Sequence, residues 1–352
     1  MFKIDHFFNF IFILVTILSL SGCSKPASTK IIKDSQYVFG TIVDITFYGD
    51  DNMQTTEALL SISKDFKQLH QAWHPWGNMA MGRANRLIKT TEWFSYNPSI
   101  NKLLVDGKNY AKTSKELFNP TMGQFTKLWG FDSDEITITQ PPSEQLINNL
   151  LAQMPSMEDI TIKGVRVKSS NPNVVFDFGG MAKGLAVDLV IKSLKEFNIN
   201  NAMINAGGDI KVIGKHGDRP WHIGIRNPRK KDSILAGVDL QPNESIFTSG
   251  DYERYFIYQG KRYHHIIDPR TGYPATESMS VTVIHPDAAL ADAAATALFV
   301  AGPTKWHEIA LSMGIKFVLL IDAQGNIHMN PAMQKRIIFH DNPKNISISQ
   351  PL

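Results

Sequence analysis

The segment HPDAALADAAATALFVAG, His285 to Gly302, constrains the fold of this 352-residue chain more than any other. An alanine-rich run of this kind reads as helix, because alanine gives up no side-chain entropy on entering one. Side chains this small mark close approach of another backbone, and the adjacent glycines Gly179-Gly180 are the candidate partner. Asp292 and Thr296 are four apart and so share one face of that helix. A carboxylate and a hydroxyl one turn apart make a hard oxygen pair suited to magnesium, which also accepts water and substrate phosphate. On spacing alone, a capping or surface aspartate with Thr296 bonded back to its own helix explains the pair at least as well.

The glycine partner lies in VVFDFGGMAKGLAVDLVIKSL. Val174 to Phe176 read as a short buried strand, Asp177 as its end, and Gly179-Gly180 as the start of a helix whose first N–H groups attract phosphate. Lys183, one turn inside, would reach an oxyanion held there. The spacing is neither GxxxxGK[ST] nor GxGxxG, so neither a Walker loop nor a dinucleotide on a doubly wound sheet is implied. A glycine-rich turn with a surface lysine is the plain alternative.

The first residues, MFKIDHFFNFIFILVTILSLSGCSKP, place a lysine before an apolar run from Phe7 to Leu20, followed by small residues and Cys23. This is the pattern of a secretory leader, too short to span a bilayer, and Leu20-Ser21-Gly22-Cys23 resembles a bacterial lipobox. The expected organisation is a signal peptide over residues 1–22, a lipidated tether over 23–36 starting at Cys23, a folded body over 37–340 and a tail over 341–352. The expected location is the bacterial cell envelope, anchored by lipid and facing the periplasm. Cys23 is the only cysteine, so the chain forms no internal disulfide and any metal is held by oxygen or imidazole. With 36 Lys+Arg against 33 Asp+Glu the net charge is only +3, which leaves no nucleic-acid footprint.

Helical spacing covers Thr55 to Trp73, Ile100 to Lys112, Glu144 to Met154, Met181 to Glu196, Ala289 to Val300 and Lys305 to Met313. Strand patterns cover Tyr37 to Gly49 with an early break at Gly40, a hairpin turning at Lys163-Gly164, and Ala202 to Ile204, Ile210 to Ile213 and Trp221 to Ile225. Further strands fall at Ile246 to Thr248, Arg254 to Tyr258 and Val281 to Ile284, and Phe317 to Asp322 with Ile327 to Met329 form a closing hairpin. Strands interrupted irregularly by helices predict an α+β fold of mixed, largely antiparallel sheets packed with helices. In SIFTSGDYERYFIYQGKRYHHIIDPRTGYPA, His265, Asp268 and Arg270 crowd a Pro-Arg-Thr-Gly turn able to orient a nucleophile or an adenosine diphosphate. Adjacent His264 and His265 face opposite sides of a strand, so only one enters a given pocket.

In order along the chain come FGT at Phe39, FNPTMGQFTKLWGF at Phe118, DFGGMAKGLAVD at Asp177, NAGGDI at Asn205, TSGDYERYF at Thr248, HIIDPRTG at His265 and ADAAATAL at Ala291. Together they resemble the FAD:protein FMN transferase family, the ApbE-type flavin transferase lipoproteins, over Val38 to Gly302. The resemblance implies an envelope lipoprotein that binds FAD as substrate and cleaves its pyrophosphate with Mg²⁺. FMN passes to a threonine or serine of a periplasmic or membrane-bound acceptor flavoprotein, and AMP leaves. It implies flavin or FAD contacts at Phe39, Trp76, Leu117, Phe118, Asn119, Asp177, Lys183, His265 and Ile266. For the metal it implies the Gly180 backbone oxygen with Asp292 and Thr296. Asn119 stands where relatives commonly have aspartate, and Phe39 where they often have methionine. QAWHPWGN offers both Trp73 and Trp76 for one aromatic contact, with Trp76 preferred. His265 or Asp268 is the base for the acceptor hydroxyl, and Lys183 stabilises developing charge. Two rival readings share the pocket: a metal-dependent FAD pyrophosphatase, and a non-catalytic flavin-binding lipoprotein.

Overall fold

A computed structural model describes residues 30–230, 232–340 and 342–352. The expected leader and Cys23 lie outside these residues. Nine strands form one sheet: β1 (Lys30–Val38), β2 (Thr41–Gly49), β3 (Ala202–Ala206), β4 (Asp209–Ile213), β5 (Ser245–Gly250), β6 (Ser278–His285), β7 (Phe317–Asp322), β8 (Ile327–Met329) and β9 (Ile346–Ile348). Their order in the sheet is their order in the chain, and every pairing is antiparallel except the last, β8 with β9. The chain has an α+β architecture. Four long helices matter for the site: α1 (Met53–Trp73), α2 (Asn101–Thr113), α3 (Gly179–Glu196) and α4 (Ala288–Met313). No described helix is long and apolar enough to cross a membrane.

The sheet is buried on both faces, which is why its central strands read as nearly continuous apolar runs rather than alternating ones. Phe247, Val281, Val283, Val318 and Leu320 face the helices, sharing a core with Leu185, Leu298 and Phe299. Their neighbours Ile246, Ile284, Leu319 and Ile321 turn to the other side and pack on a three-stranded sheet of Trp221–Arg226, Ile234–Leu240 and Ile337–Phe339. A fully buried side chain such as Phe247 or Phe299 contributes roughly 1.5–3 kcal/mol by leaving water. A satellite core around Trp129, Phe131 and Phe256 sits beneath the hairpin Tyr255–Tyr258/Lys261–His264.

Among the departures from the sequence reading, three bear on the expected organisation. Strand β1 begins at Lys30, inside the stretch expected as tether, because its backbone pairs with β2 over nine positions although its side chains are mostly exposed or half-buried. Backbone pairing of this kind leaves no hydrophobic signal. The expected tail contains β9, whose three residues are all exposed and are also held by backbone pairing. Val174 to Phe176 are buried as expected but are not a strand: Val175 makes one parallel bridge to Met122, and both polar backbone groups of Phe176 bond to the Asn85 side chain. The long helix α4 is broken at Gly302, with φ 67° and ψ −179° ahead of Pro303, so it comprises the two helical segments expected from the sequence.

Candidate active site

The two helices meet where the small residues predicted it. A Cβ on Gly184 would collide with the Ala288 carbonyl, and one on Gly180 would stand 3.1 Å from Thr296 Oγ1 and 3.2 Å from the Phe118 ring. Without side chains at these positions, α3 and α4 approach until Asp292 Oδ2 accepts a hydrogen bond from the Gly184 N–H at 3.0 Å. Regular helix geometry assigns that N–H to the Gly180 carbonyl, so Asp292 competes for the donor that would otherwise occupy the Gly180 oxygen. Gly180, Asp292 and Thr296 are therefore brought together at the crossing of α3 and α4. Thr296 Oγ1 also lies 3.2 Å from Ser249 Oγ on β5.

Lys183 stands between two carboxylates, 3.3 Å from Asp209 Oδ2 and 3.7 Å from Asp292 Oδ1. Asp209 was not among the expected site residues. It opens β4, and strand alternation turns Asp209 and Lys211 to the helix side while Ile210 and Val212 face the second core. Its other oxygen accepts from the Thr248 N–H at 2.9 Å. NAGGDI carried this residue in plain view, and the missing signal was its position on the strand face opposite Lys183.

Burial disfavours charge throughout the cluster. It pushes Asp292 up to about 6, against the opposing pull of Lys183 and with the help of Asp209. Burial likewise raises Asp209. On Lys183, burial acts to lower the pKa, but Asp292 and Asp209 together outweigh it and hold the ammonium above its ordinary value. Among the described residues no group of three or more His, Cys, Asp and Glu side chains forms a metal cage. What the site offers is hard oxygen: two buried carboxylates, a threonine hydroxyl and a backbone carbonyl at a position with no Cβ.

Asp177 Oδ1 accepts from the Gly179 N–H at 3.0 Å, so one of the N–H groups expected to face phosphate is occupied by the chain itself. Phe118 lies against Gly180, and its N–H donates to Ser114 Oγ. Leu117 and Asn119 are buried, and the Asn119 amide is spent on structure, donating to Pro155 O beyond the helix Glu144–Leu151 and accepting from Thr121 in its own loop. Two consecutive non-glycine residues with positive φ, Lys115 (56°) and Glu116 (64°), precede this segment. Such strain persists only where the surroundings fix it.

Phe39 occupies the β1–β2 turn at φ 55°, its N–H donating to His70 Nδ1 at 3.2 Å. Trp73 is a core residue whose indole N–H donates to Ser99 O, whereas Trp76 is half-buried in the next loop; of the two, Trp76 is the one left accessible. That loop is tied to the DFGG segment by Asn85, whose amide donates to Pro75 O at 3.1 Å and Phe176 O at 2.9 Å and accepts from Phe176 N–H at 2.7 Å. Nothing in GRANRL signals this role, because all three contacts are remote in sequence.

His264 and His265 diverge as alternation required. His264 is buried with Nε2 2.6 Å from Ala275 O, while His265 Nδ1 lies 3.3 Å from Arg254 O. Burial, with His264 and Arg254 nearby, drives His265 down to about 3, so it is neutral at ordinary pH. With Nδ1 facing a carbonyl, the Nδ1–H tautomer is the favoured one and Nε2 keeps its lone pair. Ile266 is buried beside it, its N–H donating to His264 Nδ1. Asp268 is different: both its oxygens are bound by the Arg270 guanidinium at 2.7–3.1 Å, and one also accepts the Arg270 N–H. Of the two expected bases, Asp268 is thereby engaged as a turn-forming ion pair, and His265 is the one with a ring nitrogen that has no partner among the described residues.

This geometry has parallels in known proteins. The chain is 40% identical over 310 residues to the FAD:protein FMN transferase of Rhodobacter capsulatus, covering 87% of this chain but only 58% of that protein. It is 30% identical to the FAD:protein FMN transferase of Haemophilus influenzae, over 86% of this chain and 90% of that one. The fold superposes on the crystal structure of the ApbE protein from Thermotoga maritima with a TM-score of 0.80 and 30% identity, covering 89% of this chain and all of that one. With the family pattern matched from residue 39 to residue 319, across every segment that builds this site, the chain belongs to the ApbE family.

Proposed function

We propose that this protein transfers FMN from FAD to a threonine or serine hydroxyl of a partner flavoprotein, through a phosphoester bond and with release of AMP. The observation that carries the reading is the convergence of Lys183, Asp209 and Asp292 with Thr296 and the Cβ-free position Gly180. Such a cluster suits a pyrophosphate accompanied by a divalent cation. Asp292, Thr296 and the Gly180 carbonyl would hold Mg²⁺, which when bound supplies Lewis-acid stabilisation of charge on the departing phosphate. Lys183, fixed by its two carboxylates, presents a permanent positive charge to the same oxygens without reorganising during the reaction.

The acceptor hydroxyl oxygen bonds to the phosphorus of the FMN half as the bond from that phosphorus to the bridging oxygen breaks, and AMP carries the electron pair away. The hydroxyl proton has to leave, and neutral His265 is the acceptor the geometry favours. Phe118, Leu117 and Trp76 give the isoalloxazine ring an apolar and aromatic surround, with Phe39 on the adjoining turn. The lipobox around Cys23 supports a further reading, that the protein works at the periplasmic face of a bacterial membrane held by lipid, where its acceptor is also exposed.

Incubating the protein with FAD, Mg²⁺ and a flavin-acceptor protein should increase the acceptor mass by one FMN residue. Release of free FMN and AMP with or without acceptor would instead identify a pyrophosphatase, and intact FAD after incubation a flavin carrier.

A further inference from the structure

We propose that a cleft of about 440 Å³ beside the Trp76 loop, with a band of cations that continues from it, is the docking surface for an extended acidic segment of the acceptor protein. The inference rests on the transferase reading above. One wall of the cleft is the helix Ala80–Leu87 with Met79 and Arg83; the other is the strand Phe94–Ser95 with Tyr96. That strand is the edge of a three-stranded sheet, the arrangement to which an extended peptide adds by backbone pairing. The near end, at Asn78 and Met79, is two to three residues from Trp76, so a chain lying in the cleft emerges beside the expected flavin site.

The far end is basic. Ser95, which lines the cleft, pairs across the ladder with Arg166, and Arg166 pairs with Lys163. Lys163, Arg166 and Lys168 surround one indole, with Nζ, guanidinium carbon and Nζ at 5.5, 5.6 and 5.4 Å from the Trp93 ring centroid. None of these three cations, nor Arg83 in the cleft wall, forms an ion pair among the described residues. Like charges directly opposite each other weaken a strand pair, and an indole face offsets only part of that repulsion. An arriving anion would supply the missing partner. A polypeptide fits better than a bilayer because the surface is concave and offers a strand edge, whereas a bilayer is met by a convex apolar surface, of which this hairpin shows only Val165.

The test uses the full chain and a fluorescein-labelled decapeptide of alternating glutamate and serine, read by anisotropy. The variant Lys163→Glu/Arg166→Glu/Lys168→Glu is compared with an equal charge reversal elsewhere, Lys192→Glu/Lys195→Glu/Lys335→Glu. Wild type and control should bind alike, the patch variant at least about tenfold more weakly, and high salt should abolish the difference. FAD binding, followed by flavin fluorescence, should be the same in all three. Equal peptide affinity in the two variants overturns the proposal, as does wild-type binding to phosphatidylglycerol vesicles but not to the peptide, which would assign the patch to a membrane. Failure of wild type to bind FAD would sink the transferase reading and leave the docking result standing.

Discussion

Helix α3 meets strand β4 through two lysine–aspartate contacts of opposite polarity, and only one is closed. At one level the helix supplies Lys183 and the strand Asp209; at the next the helix supplies Asp188 and the strand Lys211. Two strand residues rise about 7 Å and five helix residues about the same, so the two levels stay in step. Asp188 bonds Lys211 and also accepts from the Ala288 and Ala289 N–H groups, capping α4, while Lys211 also donates to Pro286 O. At the other level, Lys183 reaches its partners only at 3.3 and 3.7 Å, and among the described residues Asp292 Oδ1 has no closer one. Equal chemistry thus serves two ends. The saturated pair ties the helix to the strand, and the unsaturated cluster keeps the bonding capacity that the proposed substrate would use.

The largest test of that contrast is Asp292→Asn, which keeps an acceptor for the Gly184 N–H but removes the charge. FMN transfer should fall about 10³-fold with no fall in the melting temperature, as read by acceptor mass and thermal unfolding. Retained transfer with lost stability would reverse the assignment of the two levels. Asp188→Ala should do the opposite: leaving Lys211 buried and unpaired should cost about 3 kcal/mol in urea unfolding, while the folded fraction still transfers FMN within a few-fold of wild type. His265→Asn should slow transfer about 10²-fold. Because His265 is already neutral above about pH 3, it should contribute no inflection to the wild-type rate profile between pH 5 and 8; an inflection lost in the variant would contradict its neutrality.

The smallest effect is on stability against pH. Asp292 titrates at 3.8 when exposed and at about 6 when folded. Between those values the folded chain holds the proton more tightly than the unfolded one, so stability falls as pH rises through the window. Asp209 is raised as well and acts with the same sign. Measured without metal, the melting temperature of wild type should therefore drop relative to Asp292→Asn from about pH 4 to pH 6. A rise across that interval would mean that Lys183 dominates the cluster.

Much of this was legible in the chain because the signals were local. Apolar periodicity located α1, α2 and α3 to within two residues at each end, and the Gly302-Pro303 break divided α4 where the spacing changed. The glycine pair Gly179-Gly180 and the alanine-rich run announced the helix crossing that brings Thr296 to Gly180, whereas its tightest approach, Gly184 against Ala288, was not singled out. What stayed hidden depends on partners distant in sequence. β1 and β9 are held by backbone pairing, which any side chains permit, and so left no pattern between Lys30 and Gln36 or at Ile346 to Ile348. Asn85 became a staple only once Pro75 and Phe176 were beside it.

The sequence by itself determined which residue types were available: hard oxygens without thiolate, glycines where a backbone had to come close, and an alanine helix able to accept that approach. Only the tertiary structure decided which of them remain free to react. Asp268 and Asp292 are both aspartates in family motifs, and both are buried. The turn gives Asp268 a guanidinium in bidentate contact, whereas the crossing of α3 and α4 gives Asp292 one amide and a lysine held off at 3.7 Å. Reactivity of a buried carboxylate follows from how many of its lone pairs the fold leaves unfilled, and that count exists only after distant segments have met.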